Sequence, residues 1–243
     1  MIARLRTPRR AAVAALLLAA ALACGRRPAA LPDTLTLAVA TAPTSLDPRL
    51  ATDTLSGRLL RLTHRGLVRL DDHLRPAPDL ATWERLGPTR YRFHLRPGVT
   101  FHDGRPLTAA DVVATYRSLL DPALASPHRG IMEPVAAVEA VDPRTVEFRL
   151  RHPFAPFLAS LTLGICPAGW SGPGPPPGAG PFRLVRRVRD QELDYERFPG
   201  YAGPPVRLAR LRVRILPDAT VRALELERGG VDLVINDLPP ELL

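Results

Sequence analysis

Residues 90–113, RYRFHLRPGVTFHDGRPLTAADVV, hold a strand signature, a His-Asp-Gly turn and the start of a helix within one short stretch. Between Arg90 and Arg96, apolar side chains alternate with arginine and histidine, which is the period of a strand with one buried and one solvated face. Further along, Thr108 and Asp111 have the spacing of a capping box at a helix N-terminus. The stretch therefore predicts an antiparallel strand, a tight turn and a helix in succession.

The residues His102, Asp103 and Gly104 allow two interpretations. A histidine next to an aspartate is one form of catalytic dyad, but neighbouring side chains point away from each other in most backbone conformations. Asp-Gly is also good turn chemistry, because glycine accepts a positive φ and aspartate can hydrogen-bond its own backbone. We therefore favour a structural turn, with a catalytic pair as the alternative.

The same signals recur along the rest of the chain. Alternation of apolar and polar residues predicts strands at residues 34–40, 145–151 and 211–216, the last two of the antiparallel type with one solvated face. Apolar residues that share one helical face predict helices at residues 55–62, 107–120 and 218–228, followed by a short strand at 231–235. Residues 166–181 are so rich in proline and glycine that they predict a connection between domains.

The composition is that of a globular protein, with 46% hydrophobic residues in a chain of 243, which is enough for one large domain or two smaller ones. The formal net charge is +9, and the sequence contains no lysine, so all of the positive charges counted in it come from arginine. A nucleic-acid surface needs clustered basic residues interleaved with aromatic residues, whereas aromatic residues make up only 5% of this chain. We therefore expect no nucleic-acid partner.

The N-terminus has the proportions of a bacterial signal peptide. Arginines precede an apolar run from Ala11 to Ala23, which is short for a membrane span. The residues before Cys24 resemble a lipobox, and predict removal of residues 1–23 and lipidation of the Cys24 thiol, with ordinary cleavage elsewhere as the alternative. Removal would leave 29 arginines against 24 acids, a formal charge of +5. Cys166 would then have no cysteine partner, so we expect no structural disulfide.

The sequence lacks the common catalytic motifs. None of the six histidines has the spacing of a zinc-binding helix. Ser171 lies in a Pro/Gly loop instead of the strand-turn-helix of a nucleophile elbow, and a chain without lysine cannot form a P-loop. We therefore predict a protein that is not an enzyme, with no catalytic residues, no metal site and no cofactor.

Six blocks of sequence, spread over nearly all of the chain beyond the N-terminal segment, occur in a characteristic order. They are SLDP at 45–48, GLVRLDDHLRPAPDLATWE at 66–84, YRFHLRPGVTFHDGRPLTAADVVATYRSLLDP at 91–122, GAGPFRLV at 178–185, ERFPGYAGPP at 196–205 and LRVRILPDATVRALELERGGVDLV at 211–234. Their order resembles the extracytoplasmic solute-binding proteins of bacterial ABC importers, family 5, the peptide- and nickel-binding type. In that family the segment around His102 is a structural signature, which agrees with the turn interpretation.

The resemblance implies an α/β fold of the periplasmic binding protein type II-like class, with two lobes that trap a ligand by hinge closure. It implies a first lobe that begins at residues 33–75, a smaller lobe at 76–178 and a return to the first lobe at 179–243. Members of the family continue into a further lobe. We therefore expect the C-terminal lobe to be missing from this chain and the first lobe to be truncated.

The resemblance also implies which loops face the ligand cleft. The candidate ligand-binding residues follow SLDP, lie in the smaller lobe or follow the strand at 231–235, and they are Ala51, Thr52, Asp53, His128, Asn236 and Asp237. An acid among them would suit a ligand amine, by a charge-assisted hydrogen bond. The alternative for each position is an exposed loop residue without a role in binding.

These features predict the substrate-binding component of an ABC importer, which binds peptides or a similar small solute outside the cytoplasmic membrane and delivers it to the permease. Its partners would be the solute, the ABC permease subunits and the membrane, through a lipid anchor on Cys24. A second polypeptide that supplies the missing lobe is a further option. Two alternatives stay open: a truncated surface lipoprotein that acts as an interaction or scaffold protein without transport, and an exported enzyme on a borrowed fold.

Overall fold

Two larger β-sheets and one two-stranded sheet organise the part of the chain described by this computed structural model, which comprises residues 33–235, 238–239 and 241. The predicted signal peptide at 1–23, the lipidation site Cys24 and the candidate residues Asn236 and Asp237 all lie outside the described residues.

The described chain contains eleven strands and four α-helices. The strands are β1 (Thr34–Val39), β2 (Val68–Leu70), β3 (Pro76–Pro78), β4 (Ala81–Gly87), β5 (Arg90–Leu95), β6 (Val135–Asp142), β7 (Thr145–Leu150), β8 (Phe182–Val188), β9 (Glu192–Arg197), β10 (Arg210–Ile215) and β11 (Leu233–Val234). The helices are α1 (Thr54–Thr63), α2 (Ala109–Ser118), α3 (Phe157–Ser160) and α4 (Ala219–Glu227), and a 3-10 helix spans Arg129–Met132.

The first sheet has five strands in the order β11-β1-β10-β9-β8 and is mixed. β1 runs parallel to both β10 and β11, while β9 is antiparallel to its neighbours β10 and β8. The pattern at 211–216 predicted a strand of the antiparallel type, and this prediction holds toward β9 but is wrong toward β1. The alternating pattern survives because the arginines of β10 keep one face polar, and one of them, Arg212, binds Asp194 of β9 at 2.7 Å.

The second sheet is antiparallel, in the order β4-β5-β7-β6, and packs against α2 and α3. Aromatic rings fill its core around Phe148, whose ring centroid lies 5.5 Å from Phe93, 5.3 Å from Tyr116 and 5.4 Å from Phe157. These edge-on arrangements are the favoured geometry of buried aromatic pairs. The inward residues of β5 and β7 are therefore those that the alternation at 90–96 and 145–151 predicts.

Helix α2 begins as the capping box predicts. The Asp111 carboxylate accepts hydrogen bonds from the backbone N–H and the hydroxyl of Thr108, both at 2.8 Å, and from the N–H of Ala168. The predicted apolar stripe from Val112 is buried as far as Leu119. It ends there, because α2 stops at Ser118 and Leu120 is 42% exposed.

The chain passes between the two sheets twice, and the two passages lie side by side. The outgoing passage follows α1, and the returning passage is the Gly178-Ala179-Gly180 segment, where the Gly180 N–H donates to the Thr63 carbonyl at 2.9 Å. Leu67 and Val68 already belong to the core of the four-stranded sheet, and the β2–β3 hairpin spans the predicted boundary at 75/76. The predicted boundary at 178/179 falls on the returning passage.

Candidate functional site

The carboxyl ends of the three parallel strands meet at one edge of the five-stranded sheet. β1 leads into the loop 40–53 and β10 leads into residues 216–218, while Ile235 follows β11. Two helices start at this edge, and their N-caps are Asp53 for α1 and Asp218 for α4. In open α/β sheets, ligands bind outside the carboxyl ends of the strands. The edge is therefore the candidate functional site.

The loop after β1 is held by its own side chains. Asp47 and Arg49 form a bidentate pair, with Arg49 Nε 3.0 Å from Asp47 Oδ1 and its terminal nitrogen 2.7 Å from Asp47 Oδ2. The backbone N–H of Arg49 also donates to Asp47 Oδ1 at 2.9 Å, and the Asp47 N–H donates to Ser45 Oγ at 3.0 Å. Bidentate pairs fix geometry as well as adding energy. The SLDP segment is thus a rigid entry to the candidate site.

Asp53 caps α1. Its carboxylate accepts hydrogen bonds from the Ser56 N–H at 2.9 Å and the Thr44 N–H at 3.2 Å, and also from the Thr44 hydroxyl. Partial burial acts to raise the pKa of this carboxyl, but the hydrogen bonds from Ser56 and Thr44 outweigh it and lower the pKa to about 2. The Asp53 side chain therefore ties the loop to the helix, with most of its acceptor capacity already used.

His128 and Ala51, both predicted to face the ligand, contact each other. His128 Nε2 donates to the Ala51 carbonyl at 2.7 Å, although the two residues are 77 positions apart. Beside this bond, the Ser126 hydroxyl donates to the Arg49 carbonyl at 2.6 Å. The two bonds connect the loop after β1 to the segment just before the 3-10 helix. The loop follows a strand of the five-stranded sheet, and the segment lies in the part of the chain that forms the four-stranded sheet.

The structure thus brings four of the six predicted residues into one place: Ala51, Thr52, Asp53 and His128. Ala51 is 8% exposed and offers its carbonyl to His128, Thr52 is exposed, and Asp53 starts α1. The sequence did not indicate the second bond, in which the Ser126 hydroxyl donates to the Arg49 carbonyl of the loop after β1. No local pattern marks these two residues, because their contact depends on the fold.

His102 binds the returning passage of the chain instead of forming a catalytic pair with Asp103. Its backbone N–H donates to the Gly178 carbonyl at 2.8 Å, and its Nε2 donates to the Gly180 carbonyl at 3.1 Å. Burial lowers the pKa of His102, and the Gly180 carbonyl offsets part of this effect. Asp103 binds its own turn, with Oδ1 accepting from the Arg105 N–H at 3.1 Å, and Gly104 has φ +86°. The geometry of His102, Asp103 and Gly104 is therefore that of a structural turn and not of a catalytic pair.

His64, at the end of α1, is a neutral buried histidine. Desolvation lowers its pKa to about 3, and the nearby positive charge that His102 can carry acts in the same direction. The Pro176 carbonyl favours the charged form but does not reach hydrogen-bonding geometry with Nε2. The described residues contain no group of three or more His, Cys, Asp and Glu side chains that could hold a metal ion. Within the described part, no helix is both long and apolar enough to cross a bilayer.

Known proteins match this chain over most of its length. The family model for bacterial extracellular solute-binding proteins, family 5 Middle, matches residues 73–243. Protein XP55 of Streptomyces lividans is 36% identical over 159 residues, which cover 62% of this chain and 29% of that protein. The glutathione-binding protein GsiB of Escherichia coli (strain K12) is 33% identical over 199 residues, which cover 76% of this chain and 39% of that protein.

Solved structures share the fold. NikZ from Campylobacter jejuni in complex with Ni(L-His) superposes with a TM-score of 0.77 at 25% identity, covering 84% of this chain and 43% of that one. The oligopeptide-binding protein AppA from Bacillus subtilis, in complex with a nonapeptide, gives a TM-score of 0.76 at 26% identity, covering 82% and 43%. The chain spans less than half the length of each of these relatives. Because the family model matches well over half of its residues, this chain belongs to the bacterial extracellular solute-binding proteins of family 5.

Proposed function

We propose that this protein is the solute-binding component of an ABC importer, which takes up a peptide or a similar small solute outside the cytoplasmic membrane and delivers it to the permease. The observation that supports it most is the edge where β1, β10 and β11 end, with the rigid loop after β1 and the exposed Thr52. Relatives named for binding glutathione, a nickel-histidine complex and a nonapeptide belong to the same family or fold. Lipid anchoring through Cys24 is part of the proposal.

Recognition at this edge would combine backbone and side-chain groups. A peptide offers its own N–H and C=O groups along its length, so an exposed loop backbone beside Thr52 suits it without regard to side chains. A free amino terminus needs an acid. Asp53 already accepts hydrogen bonds from Ser56 and Thr44, so Asp237, which follows β11 in sequence, is the acid that we propose for the amine.

A thermal-shift titration of the purified protein tests solute binding. The probes are glutathione, a mixture of oligopeptides and the nickel-histidine complex. A ligand that binds only the native state stabilises it by RT ln(1 + [L]/Kd), which is about 2.7 kcal/mol when its concentration is a hundred times Kd. We expect a rise in melting temperature that depends on concentration with at least one probe. A cooperative melt that none of the probes shifts would contradict the proposal and favour a scaffold role.

Three variants separate recognition from folding. We expect Asp237→Asn to weaken binding of a peptide with a free amino terminus about tenfold, because a hydrogen bond to a charged group contributes about 1.5–3 kcal/mol. The same peptide with an acetylated amino terminus should not respond to this change. Asp53→Asn keeps a side chain that can cap α1, and Thr82→Ala changes an exposed threonine on β4; both should leave affinity unchanged.

A further inference from the structure

Two histidines contact the returning passage of the chain, one from each core. His64 follows α1, which contributes to the core of the five-stranded sheet, and a Cβ built on Gly178 would lie 2.9 Å from His64 Cγ. His102 follows Phe101 of the four-stranded core. Its backbone N–H donates to the Gly178 carbonyl at 2.8 Å, and its Nε2 donates to the Gly180 carbonyl at 3.1 Å. The two histidines therefore lie where the two cores meet.

The His64 ring is enclosed and lacks a second hydrogen-bond partner. Its residue is 6% exposed, and a Cβ built on Gly164 would lie 2.5 Å from His64 Cβ. Nδ1 lies 2.9 Å from the Thr63 hydroxyl, whereas Nε2 is buried and makes no hydrogen bond within the described residues. An imidazolium donates from both ring nitrogens, and a buried charge without a partner is costly. The closed junction therefore disfavours a proton on His64.

The groups that face His64 do not compensate for a positive charge. From the loop after β1, Asp47 would favour the charged form and Arg49 would oppose it. These two residues form a bidentate pair, with Arg49 Nε 3.0 Å from Asp47 Oδ1. The Pro176 carbonyl also favours the charged form. Desolvation outweighs these effects and, together with the charge that His102 can carry, lowers the pKa of His64 to about 3.

His102 also lacks a free counter-charge. Desolvation lowers its pKa, and the carbonyl that it binds in the returning passage offsets part of this effect. Arg183 of β8 opposes a positive charge on His102, and Asp103 of its own turn favours it. Tyr195 of β9, which lines the same cavity as both histidines, is neutral because burial raises the pKa of its hydroxyl. The two charged neighbours are already paired, Arg183 with Glu196 and Asp103 with Arg105.

We propose that His64 and His102 form an acid-sensitive switch, in which protonation opens the junction between the two cores while each core stays folded. Opening would separate the returning passage from α1 and break the bond from the Gly180 N–H to the Thr63 carbonyl. Water would then hydrate the charged rings. Because the open form binds protons more tightly than the closed form, a lower pH shifts the equilibrium toward it. The switch goes beyond the proposed import function and does not depend on it.

Cys166 can report on this opening. It is a free cysteine, 1% exposed, and it lies two positions after Gly164, which packs against His64. The charges of Asp47 and Arg49 act on its thiol, so the loop after β1 lies beside it. The thiol is therefore buried next to the junction, and opening of the junction would expose it to a reagent.

Labelling of Cys166 with 4,4′-dithiodipyridine, which reacts with thiols in acid as well as at neutral pH, tests the switch. Cys24→Ser leaves Cys166 as the only cysteine. Each rate is divided by that of N-acetylcysteine at the same pH, so that the ratio measures the open fraction. A pKa of about 3 in the closed form against an ordinary 6.5 gives, for His64 alone, a rise of about 25-fold from pH 7 to pH 5. We expect at least this rise, and an unchanged ratio would overturn the proposal.

Urea and two variants separate the switch from global unfolding. Labelling by local opening should not change in low urea, whereas labelling by global unfolding increases with urea because much more surface is exposed. His64→Gln should remove most of the rise on acidification, and the control His73→Gln, at an exposed position, should keep it. An undiminished rise in His64→Gln, or labelling at pH 5 with the urea dependence of global unfolding, would contradict the switch. If His64→Gln does not fold, the urea dependence of the parent still decides.

Discussion

Gly178 shows at the scale of one residue how closely the two passages of the chain approach. A Cβ built on Gly178 would lie 1.9 Å from the Thr63 carbonyl oxygen, and one on Gly180 would lie 2.5 Å from the Leu62 carbonyl oxygen. Real Cβ atoms do not come so near a backbone atom, so neither position can carry a side chain without moving α1. The glycines of the GAGP block are therefore explained by packing, independently of any ligand.

The first prediction concerns this close approach. We expect Gly178→Ala to destabilise the protein by about 3 kcal/mol or more, because the methyl group would force the passages apart. Gly57→Ala is the control, since Gly57 lies within α1 and a Cβ there meets nothing within 4 Å; it should stabilise by about 0.5–1 kcal/mol. Urea unfolding measures both. A Gly178→Ala protein as stable as the parent would show that the passages separate easily.

Buried histidine makes the stability depend on pH. The pKa of His64 is about 3 in the folded protein against an ordinary value of 6.5, so between these values the unfolded state binds more protons. Stability is therefore complete above the ordinary pKa and falls as the pH drops below it. For His64 alone we expect a loss of about 2 kcal/mol between pH 7 and pH 5, and burial of His102 acts in the same direction.

Unfolding midpoints in urea at the two pH values test this second prediction. His64→Gln should reduce the loss on acidification, because glutamine does not titrate. The exposed His73 offers a control, and His73→Gln should lose as much stability as the parent protein. An unchanged pH dependence in His64→Gln would mean that His64 is accessible to protons in the folded state.

At the scale of the element, helix starts tie the sheet edge together. α1 and α4 follow parallel strands and begin with aspartate caps, in which Asp53 accepts from the Ser56 N–H and Asp218 accepts from the Val221 N–H, both at 2.9 Å. The apolar residues Val221, Leu224 and Leu226 predicted the helix α4, but they do not form its buried face. All three are more than a third exposed, whereas Ala223 is buried. The start of a helix is thus easier to predict than its buried face.

The third prediction separates capping from charge at α1. Asp53→Ala should destabilise by about 1 kcal/mol, the usual cost of losing an N-cap. Asp53→Asn should stay within about 0.5 kcal/mol of the parent, because asparagine caps nearly as well as aspartate. Thermal unfolding of both variants measures the difference. Equal and large losses would assign the stabilisation to the negative charge and its bonds with Thr44, and not to the cap.

At the scale of the whole molecule, two cores are joined by few bonds. The core of the four-stranded sheet and the core of the five-stranded sheet form separate clusters of buried residues. Between them lie the two chain passages and the bonds Ser126–Arg49, His128–Ala51 and His102–Gly180. Elements connected by few contacts can open separately. The coupling of the two cores is therefore concentrated in a small number of side chains.

The fourth prediction is that Ser126→Ala combined with His128→Ala uncouples the two cores. Single-tryptophan proteins provide the readout, because Trp83 packs against the four-stranded core and Trp170 lines the same pocket as residues of β8 and β9 in the five-stranded sheet. In the parent protein we expect both tryptophans to report the same unfolding midpoint. In the double variant we expect the two tryptophans to report different midpoints. Ser160→Ala with His94→Ala is the matched control within the four-stranded part, and should keep one midpoint. Coincident transitions in the double variant would contradict this account.

Local periodicity was enough to predict β5, β7, α1 and α2, because alternation and helical spacing depend on neighbours a few residues away. It missed β4, β6, β8 and β9. β4 and β8 lie at the sheet edges and are mostly exposed, so they lack the alternation of a half-buried strand. β6 carries three alanines in VAAVEAVD, and alanine is depleted in strands.

The family, the α/β class and the turn at His102 could be read from the sequence, because each depends on short blocks of neighbouring residues and, for the family, on the order in which six such blocks occur. Only the tertiary structure decided that β10 runs parallel to β1, that Asp53 is used as a cap and that His128 holds the Ala51 carbonyl. The reason is physical: these contacts join residues far apart in the chain, 77 positions for His128 and Ala51, and their partners are chosen by how the sheets pack and not by any local pattern.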